Sequence, residues 1–121
     1  MYYVKKRMEI AGAHNLHLSY ESKCSKIHGH NWIVTVYCCS PVLNEDGMVM
    51  DFTIIKKQIH DYLDHGYLNE LLDFNPTAEN IAKWIVELVP FCYRADVQES
   101  EGNTASYVID DIDVTEGIYE I

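Results

Sequence analysis

Residues 31–39, Asn-Trp-Ile-Val-Thr-Val-Tyr-Cys-Cys, leave the chain the fewest options. Aromatic and β-branched side chains in an unbroken run fit a pleated, half-buried surface, so this stretch reads as a β-strand. Residues 2–10 read as an earlier strand with weaker alternation, and 91–98 and 105–115 as a third and a fourth, with a turn at 99–103. Between the second and third strands the pattern changes to a helical period. Phe52, Ile55, Ile59, Tyr62 and Leu63 fall on one stripe of a helix over 52–63, with Asp51 as its N-cap. Ile81, Trp84, Ile85 and Leu88 do the same for a helix over 78–88. Pro76 and Thr77 open that helix, Glu79 suits its dipole and Pro90 stops it. The order β-β-α-α-β-β predicts an α+β sandwich: a four-stranded antiparallel sheet with two helices packed on one face. So small a sheet has exposed edges, which predicts strand pairing between subunits.

At 121 residues, one domain over 1–121 is the expectation. A net charge of −10 argues against a general nucleic-acid binder, which needs a basic face to displace counterions. It does not exclude an anionic small substrate, because a local basic cluster can act against the global sign. No apolar run approaches the roughly 20 residues that span a bilayer. The start, Met-Tyr-Tyr-Val-Lys-Lys-Arg, lacks the pattern of a signal peptide, so a cytoplasmic location is expected. The four cysteines, Cys24, Cys38, Cys39 and Cys92, form no CxxC pair and are expected as free thiols.

Chemistry concentrates in Cys24-Ser25-Lys26-Ile27-His28-Gly29-His30, preceded by His14. On an extended segment His28 and His30 point to the same side. His14 comes within reach if the first two strands pair. Three imidazoles with one open position is the arrangement of a catalytic zinc site. An HxH pair alone is more often two partly exposed histidines, and Cys24 competes as a thiolate ligand. Asp64 and His65 adjoin at the end of the first helix; a carboxylate there can orient an imidazole for proton transfer, although a solvated histidine at a helix end looks the same. Val108, Asp110, Ile112, Val114 and Glu116 alternate onto one strand face. That puts Glu116 at the rim of an apolar surface, where a ligand with two N–H groups would satisfy it; a solvated chain-end glutamate is the plainer alternative. Lys23 and Lys26 flank Cys24 and can bind phosphate or simply be solvated. His17 and His60 fit no pattern.

Six of these stretches, in this order, resemble the 6-pyruvoyltetrahydropterin synthase family. They are Ala13-His14-Asn15-Leu16; Cys24-x-x-x-His28-Gly29-His30-Asn31; Gly47-Met48-Val49-Met50-Asp51-Phe52; Leu63-Asp64-His65 with Leu68-Asn69; Pro76-Thr77-Ala78-Glu79-Asn80; and Val114-Thr115-Glu116. The three residues between Cys24 and His28, with no glutamate among them, resemble the queuosine-type branch, the 6-carboxytetrahydropterin synthases. The resemblance implies the T-fold, with subunits pairing their sheets into a barrel, a homo-oligomer (often a hexamer) and sites between subunits. It implies zinc on His14, His28 and His30, and Cys24 as the base. Asp64 and His65 would form a proton shuttle and Glu116 would anchor the pterin, with backbone near Thr77 and Ala78. Lys23 and Lys26 would lie towards the triphosphate. The implied reaction converts 7,8-dihydroneopterin triphosphate to 6-carboxy-5,6,7,8-tetrahydropterin, acetaldehyde and triphosphate. The alternatives are the 6-pyruvoyl reaction, which releases no acetaldehyde, and a non-catalytic, zinc-stabilised pterin binder.

Overall fold

The computed structural model describes residues 1–109. Its elements are β1 (Tyr2–His14), a 3-10 turn (Lys23–Ser25), β2 (His28–Ser40), α1 (Phe52–Ile55), a π-helical stretch (Lys56–His60), α2 (Asp61–Leu63), β3 (Gly66–Tyr67), α3 (Leu68–Leu71), α4 (Ala78–Leu88), β4 (Cys92–Ser100) and β5 (Asn103–Val108). β1 and β2 pair antiparallel from Tyr2↔Ser40 to His14↔His28. Both strands run further than their apolar pattern suggests, and the extensions carry His14, His28 and His30. The register is held by burial. Met8 and Ile10 lie opposite Val34 and Trp32, and all four are buried on one face, so a slip of one residue would turn the whole set to solvent. β4 continues that face with Ala95 opposite Val36 and Val97 opposite Val34.

The helices cover this face. Ile55, Ile59 and Leu63 from the first helical run, and Ile81, Ala82, Ile85 and Val86 from α4, are buried in the same core as the strand residues. Each isoleucine so buried contributes about 1.5–3 kcal/mol relative to exposure. Asp51 caps α1 by accepting from Thr53 N at 2.9 Å, and Thr77 caps α4 by accepting from Asn80 N at 3.1 Å. Phe52, Tyr62 and Leu88, expected on the apolar stripes, are exposed instead. The first helical run explains two of these. Its buried positions recur at strict intervals of four, which overshoots a 3.6-residue helix by about 40° per step. The π-helical stretch widens the turn and keeps Ile55, Ile59 and Leu63 on one line, which leaves Phe52 and Tyr62 off it.

Among the described residues the sheet has five strands in the order β3-β1-β2-β4-β5, which corrects the expected four-stranded antiparallel sheet. The additional strand, β3, is parallel to β1, with Gly12↔Gly66 and Ala13↔Tyr67. Its entry is fixed by two bonds to one residue: His65 N donates to Ala11 O at 2.7 Å and Ala11 N donates to Asp64 Oδ1 at 2.9 Å. Gly66 is required at this contact, because a Cβ there would lie 2.6 Å from Leu71 Cδ1 and 2.9 Å from the Leu63 carbonyl oxygen. Expected strand 105–115 appears as Asn103–Val108, and residues 110–115, with Glu116, lie outside the described residues. Among the described residues no helix is long and apolar enough to cross a membrane. All four cysteines are free thiols.

Candidate metal centre

The inward face of the β1–β2 hairpin changes character at its open end. Ile10 and Trp32 are the last apolar pair; beyond them His30 lies opposite Gly12 and His28 opposite His14. The three imidazoles meet with ring centroids 4.6 Å apart for His14–His28, 4.9 Å for His28–His30 and 5.2 Å for His14–His30. Trp32 packs edge-on against His14 and His30 and anchors itself by donating from Nε1 to Gly12 O at 3.1 Å. A fourth group arrives from β4. Glu99 follows Val97 by two positions and so shares its face, and its Oε1 stands 3.1 Å from both His14 Nε2 and His30 Nε2. One donor atom from each of His14, His28, His30 and Glu99 lies within 4.8 Å of every other. Cys24 is not in this group, so the competing Cys/His/His ligand set is not formed.

The protonation pattern suits a cation. His14 Nδ1 is 2.8 Å from Pro76 O and His28 Nδ1 is 2.7 Å from Lys26 O, and each carbonyl can only accept. The proton therefore sits on Nδ1, and the carbonyls that hold it fix the rings with their Nε2 lone pairs inward, as in metal-binding imidazoles. His14 is fully buried. Burial holds its pKa below the usual imidazole range; repulsion from His28 and His30 adds to this, while the Pro76 bond and Glu99 oppose it. The Nε2 atoms of His14 and His30 are buried without a hydrogen bond. Their 3.1 Å approach to Glu99 has the distance of one but not its alignment. Two buried imidazole nitrogens without a hydrogen bond, beside a third imidazole and a carboxylate, are costly unless a cation meets them. The donor set fits zinc with three nitrogen ligands.

Asp64 and His65 are not among the clustered donor residues. His65 and His30 line one cleft of about 410 Å3 together with Gly12, Gly29 and Gly66. Asp64 Oδ2 lies 3.5 Å from His65 Nε2 and 3.6 Å from His60 Nε2, so the carboxylate stands between two imidazoles. The Ala11 N–H is the main cause that holds the Asp64 pKa below the usual carboxylate range; partial burial opposes it, and both imidazoles assist. The His65 side chain is 84% exposed and its backbone has φ 60°, the left-handed region. Cys24 sits half-buried in the 3-10 turn, with its carbonyl accepting from Leu16 N at 2.9 Å. Lys23 and Lys26 are exposed. Thr77 uses its hydroxyl to cap α4, and Ala78 is the first residue of that helix, next to the Pro76 carbonyl that orients His14.

The sequence reading missed Glu99 and His60. The expected third strand stops at residue 98, which puts Glu99 in a turn. Continued by two positions, the series Ala95, Val97, Glu99 shows a carboxylate at the end of an apolar face, the same signal that drew attention to Glu116. His60 lies four residues before Asp64, the spacing at which helical side chains meet.

The family model described as 6-pyruvoyl tetrahydropterin synthase matches residues 3–110. The chain belongs to this family. Among its relatives, a 6-carboxy-5,6,7,8-tetrahydropterin synthase of Synechocystis is 36% identical over 121 aligned residues, covering 88% of this chain and 93% of that one. A protein of the same name from Bacillus subtilis is 29% identical, with 86% and 83% covered. The solved 6-pyruvoyl tetrahydropterin synthase of Caenorhabditis elegans superposes with a TM-score of 0.71 at 25% identity, covering 90% of this chain and 96% of that one. The family match ends at residue 110, six residues short of Glu116, and it includes Glu99, the three histidines, Cys24, Asp64 and His65.

Proposed function

We propose that this chain converts 7,8-dihydroneopterin triphosphate to 6-carboxy-5,6,7,8-tetrahydropterin, acetaldehyde and triphosphate, with zinc held by His14, His28 and His30. The observation that carries the reading is the convergence of three inward-facing imidazoles and the Glu99 carboxylate, all donor atoms within 4.8 Å. The relatives supply the reaction class, since the two quoted above are named 6-carboxytetrahydropterin synthases. The short Cys24–His28 spacing supports the same branch.

Zinc bound there supplies Lewis acidity to the hydroxyls of the substrate side chain. Cys24, as thiolate, takes a proton from that side chain. His65 moves a proton at Nε2, with the Asp64 carboxylate 3.5 Å away to orient the ring. The resemblance gave the pterin-anchoring role to Glu116. We assign it to Glu99, whose carboxylate faces the cluster and can accept two N–H groups from the amidine edge of a pterin. Backbone at Thr77 and Ala78 borders the same corner. Lys23 and Lys26 are exposed and free to meet phosphate, and a cytoplasmic homo-oligomer with sites between subunits, a hexamer in the favoured form, completes the reading.

The deciding experiment is anaerobic incubation of zinc-loaded protein with 7,8-dihydroneopterin triphosphate, followed by mass spectrometry. Acetaldehyde with 6-carboxytetrahydropterin is the expected result. A 6-pyruvoyl product without acetaldehyde moves the chain to the other branch, and tight binding without conversion makes it a binder. Cys24→Ala should keep zinc and lose turnover; loss of zinc would make Cys24 a ligand.

A further inference from the structure

Residues 15–22, which join the end of β1 to the turn that carries Cys24, contain no helix or strand. Their backbone is nevertheless held, and by side chains. Asn15 N donates to Asn69 Oδ1 at 2.9 Å, and Asn69 Nδ2 donates back to Asn15 O at 2.8 Å. Two residues on, His17 N donates to Asn75 Oδ1 at 2.9 Å, and Asn75 Nδ2 donates to His17 O at 3.0 Å. Between them Leu16 N donates to Cys24 O at 2.9 Å. Residues 15 and 17 bond one way and residue 16 the other, the alternation of a strand. Two primary amides stand where a neighbouring strand would be. Each offers one acceptor and one donor side by side, as a backbone residue does. All four bonds agree on which amide atom is oxygen, so the orientation is internally fixed.

We infer that Asn69 and Asn75 are positioning residues for the Cys24 thiol: by holding residues 15 and 17 in line they aim the Leu16 N–H at the Cys24 carbonyl and so set where the 3-10 turn presents its sulfur. The inference rests on the reading of Cys24 as the base. It adds a second duty to the segment between α3 and α4. Pro76 O, next to Asn75, orients His14, so one stretch of chain sets the position of both the metal ligand and the thiol. Asn80 Nδ2 braces the stretch by donating to Asn75 O at 3.0 Å, and Tyr67 OH donates to Asn15 Oδ1. Aspartate at either position keeps the acceptor and the shape but puts an oxygen against a carbonyl where a donor stood.

The test compares Asn69→Asp and Asn75→Asp with the unsubstituted zinc-loaded protein. Zinc content should be unchanged, kcat should fall about 10²-fold and KM should stay within about threefold, since the thiol is displaced while ground-state binding is untouched. The rate of Cys24 alkylation by iodoacetamide against pH should change with it. Cys38, Cys39 and Cys92 are buried, and peptide mapping assigns the label. Unaltered kcat and an unaltered alkylation profile in both variants overturn the inference, and so does loss of zinc, which would make the asparagines part of the metal site instead. If the unsubstituted protein turns over no pterin, the proposed function fails, and the alkylation profile still decides the positioning role. Should neither variant fold, amide exchange on the unsubstituted protein decides: the N–H groups of Asn15, Leu16 and His17 must be protected, and free exchange at all three overturns the clamp.

Discussion

Glu99 Oε1 lies 3.1 Å from two imidazole nitrogens, a position that suits either a metal ligand or the acceptor for a bound pterin. The two roles separate on Glu99→Gln. The amide keeps the shape, loses the charge and replaces one oxygen by a donor. If Glu99 anchors the pterin, zinc content stays the same and KM rises by roughly 10-fold or more, the worth of a hydrogen bond to a charged group. Metal analysis and steady-state kinetics on the same preparation read both. Zinc lost in proportion to activity would make Glu99 the fourth ligand. Glu116→Gln, on the assignment made here, leaves KM unaltered. The three histidines were legible in the sequence because a strand has period two, which commits His28 and His30 to one side and brings His14 opposite once the strands pair. The same period would have revealed Glu99, had the third strand been carried past residue 98. His60 stands at helical spacing from Asp64 and was legible from that, whereas the clamping asparagines were not, because their partners are 54 and 58 positions away and only the folded chain brings them together.

Between α2 and β3 the chain reverses in two residues that carry opposite demands. His65 holds φ 60°, a region that costs a non-glycine residue about 1–2 kcal/mol. Gly66 has no room for a side chain. His65→Gly should therefore raise the unfolding free energy by about 1 kcal/mol while removing the proton shuttle; strain kept at such a point marks function. Gly66→Ala should lower it by about 1–3 kcal/mol through overpacking against Leu71 and the Leu63 carbonyl. Denaturant unfolding with turnover on both variants checks the pair: effects of opposite sign at neighbouring positions are expected, and a His65→Gly protein less stable than its parent removes the strain argument. This reversal was not legible in advance. The main strands and both long helices follow from patterns over eight or more residues, whereas β3 is two residues long and its entry is held by the bonds of Asp64 and His65 to Ala11. The π-helical stretch was written in the four-residue spacing of Ile55, Ile59 and Leu63, but a stripe read on the ideal period assigned Phe52 and Tyr62 to the core instead.

Across the whole molecule, the metal group joins segments far apart in sequence: the end of β1 through His14, the start of β2 through His28 and His30, the end of β4 through Glu99 and, by way of Pro76, the entry to α4. An unfolded chain does not hold these together, so a cation bound there stabilises the folded state by mass action, by about 2.7 kcal/mol at a free concentration 100 times its dissociation constant. Removing it with a chelator should lower Tm by ~10 °C for a domain of this size. The measurement belongs at fixed protein concentration, because among the described residues β3 covers β1 only at Gly12 and Ala13, and an edge left open favours association. pH supplies the internal control. Burial depresses the His14 pKa, so below the unfolded value near 6.5 the unfolded chain binds the extra proton first, and metal-free stability falls as pH drops towards the folded value. Protons also compete with the cation for the imidazoles, so the stabilisation by zinc shrinks over the same acid range. The Tm difference between zinc-loaded and chelated protein should thus be largest above neutral pH and close as the solution is acidified. A chelator that leaves Tm unmoved at pH 8 would mean that the imidazoles and Glu99 satisfy one another without a cation.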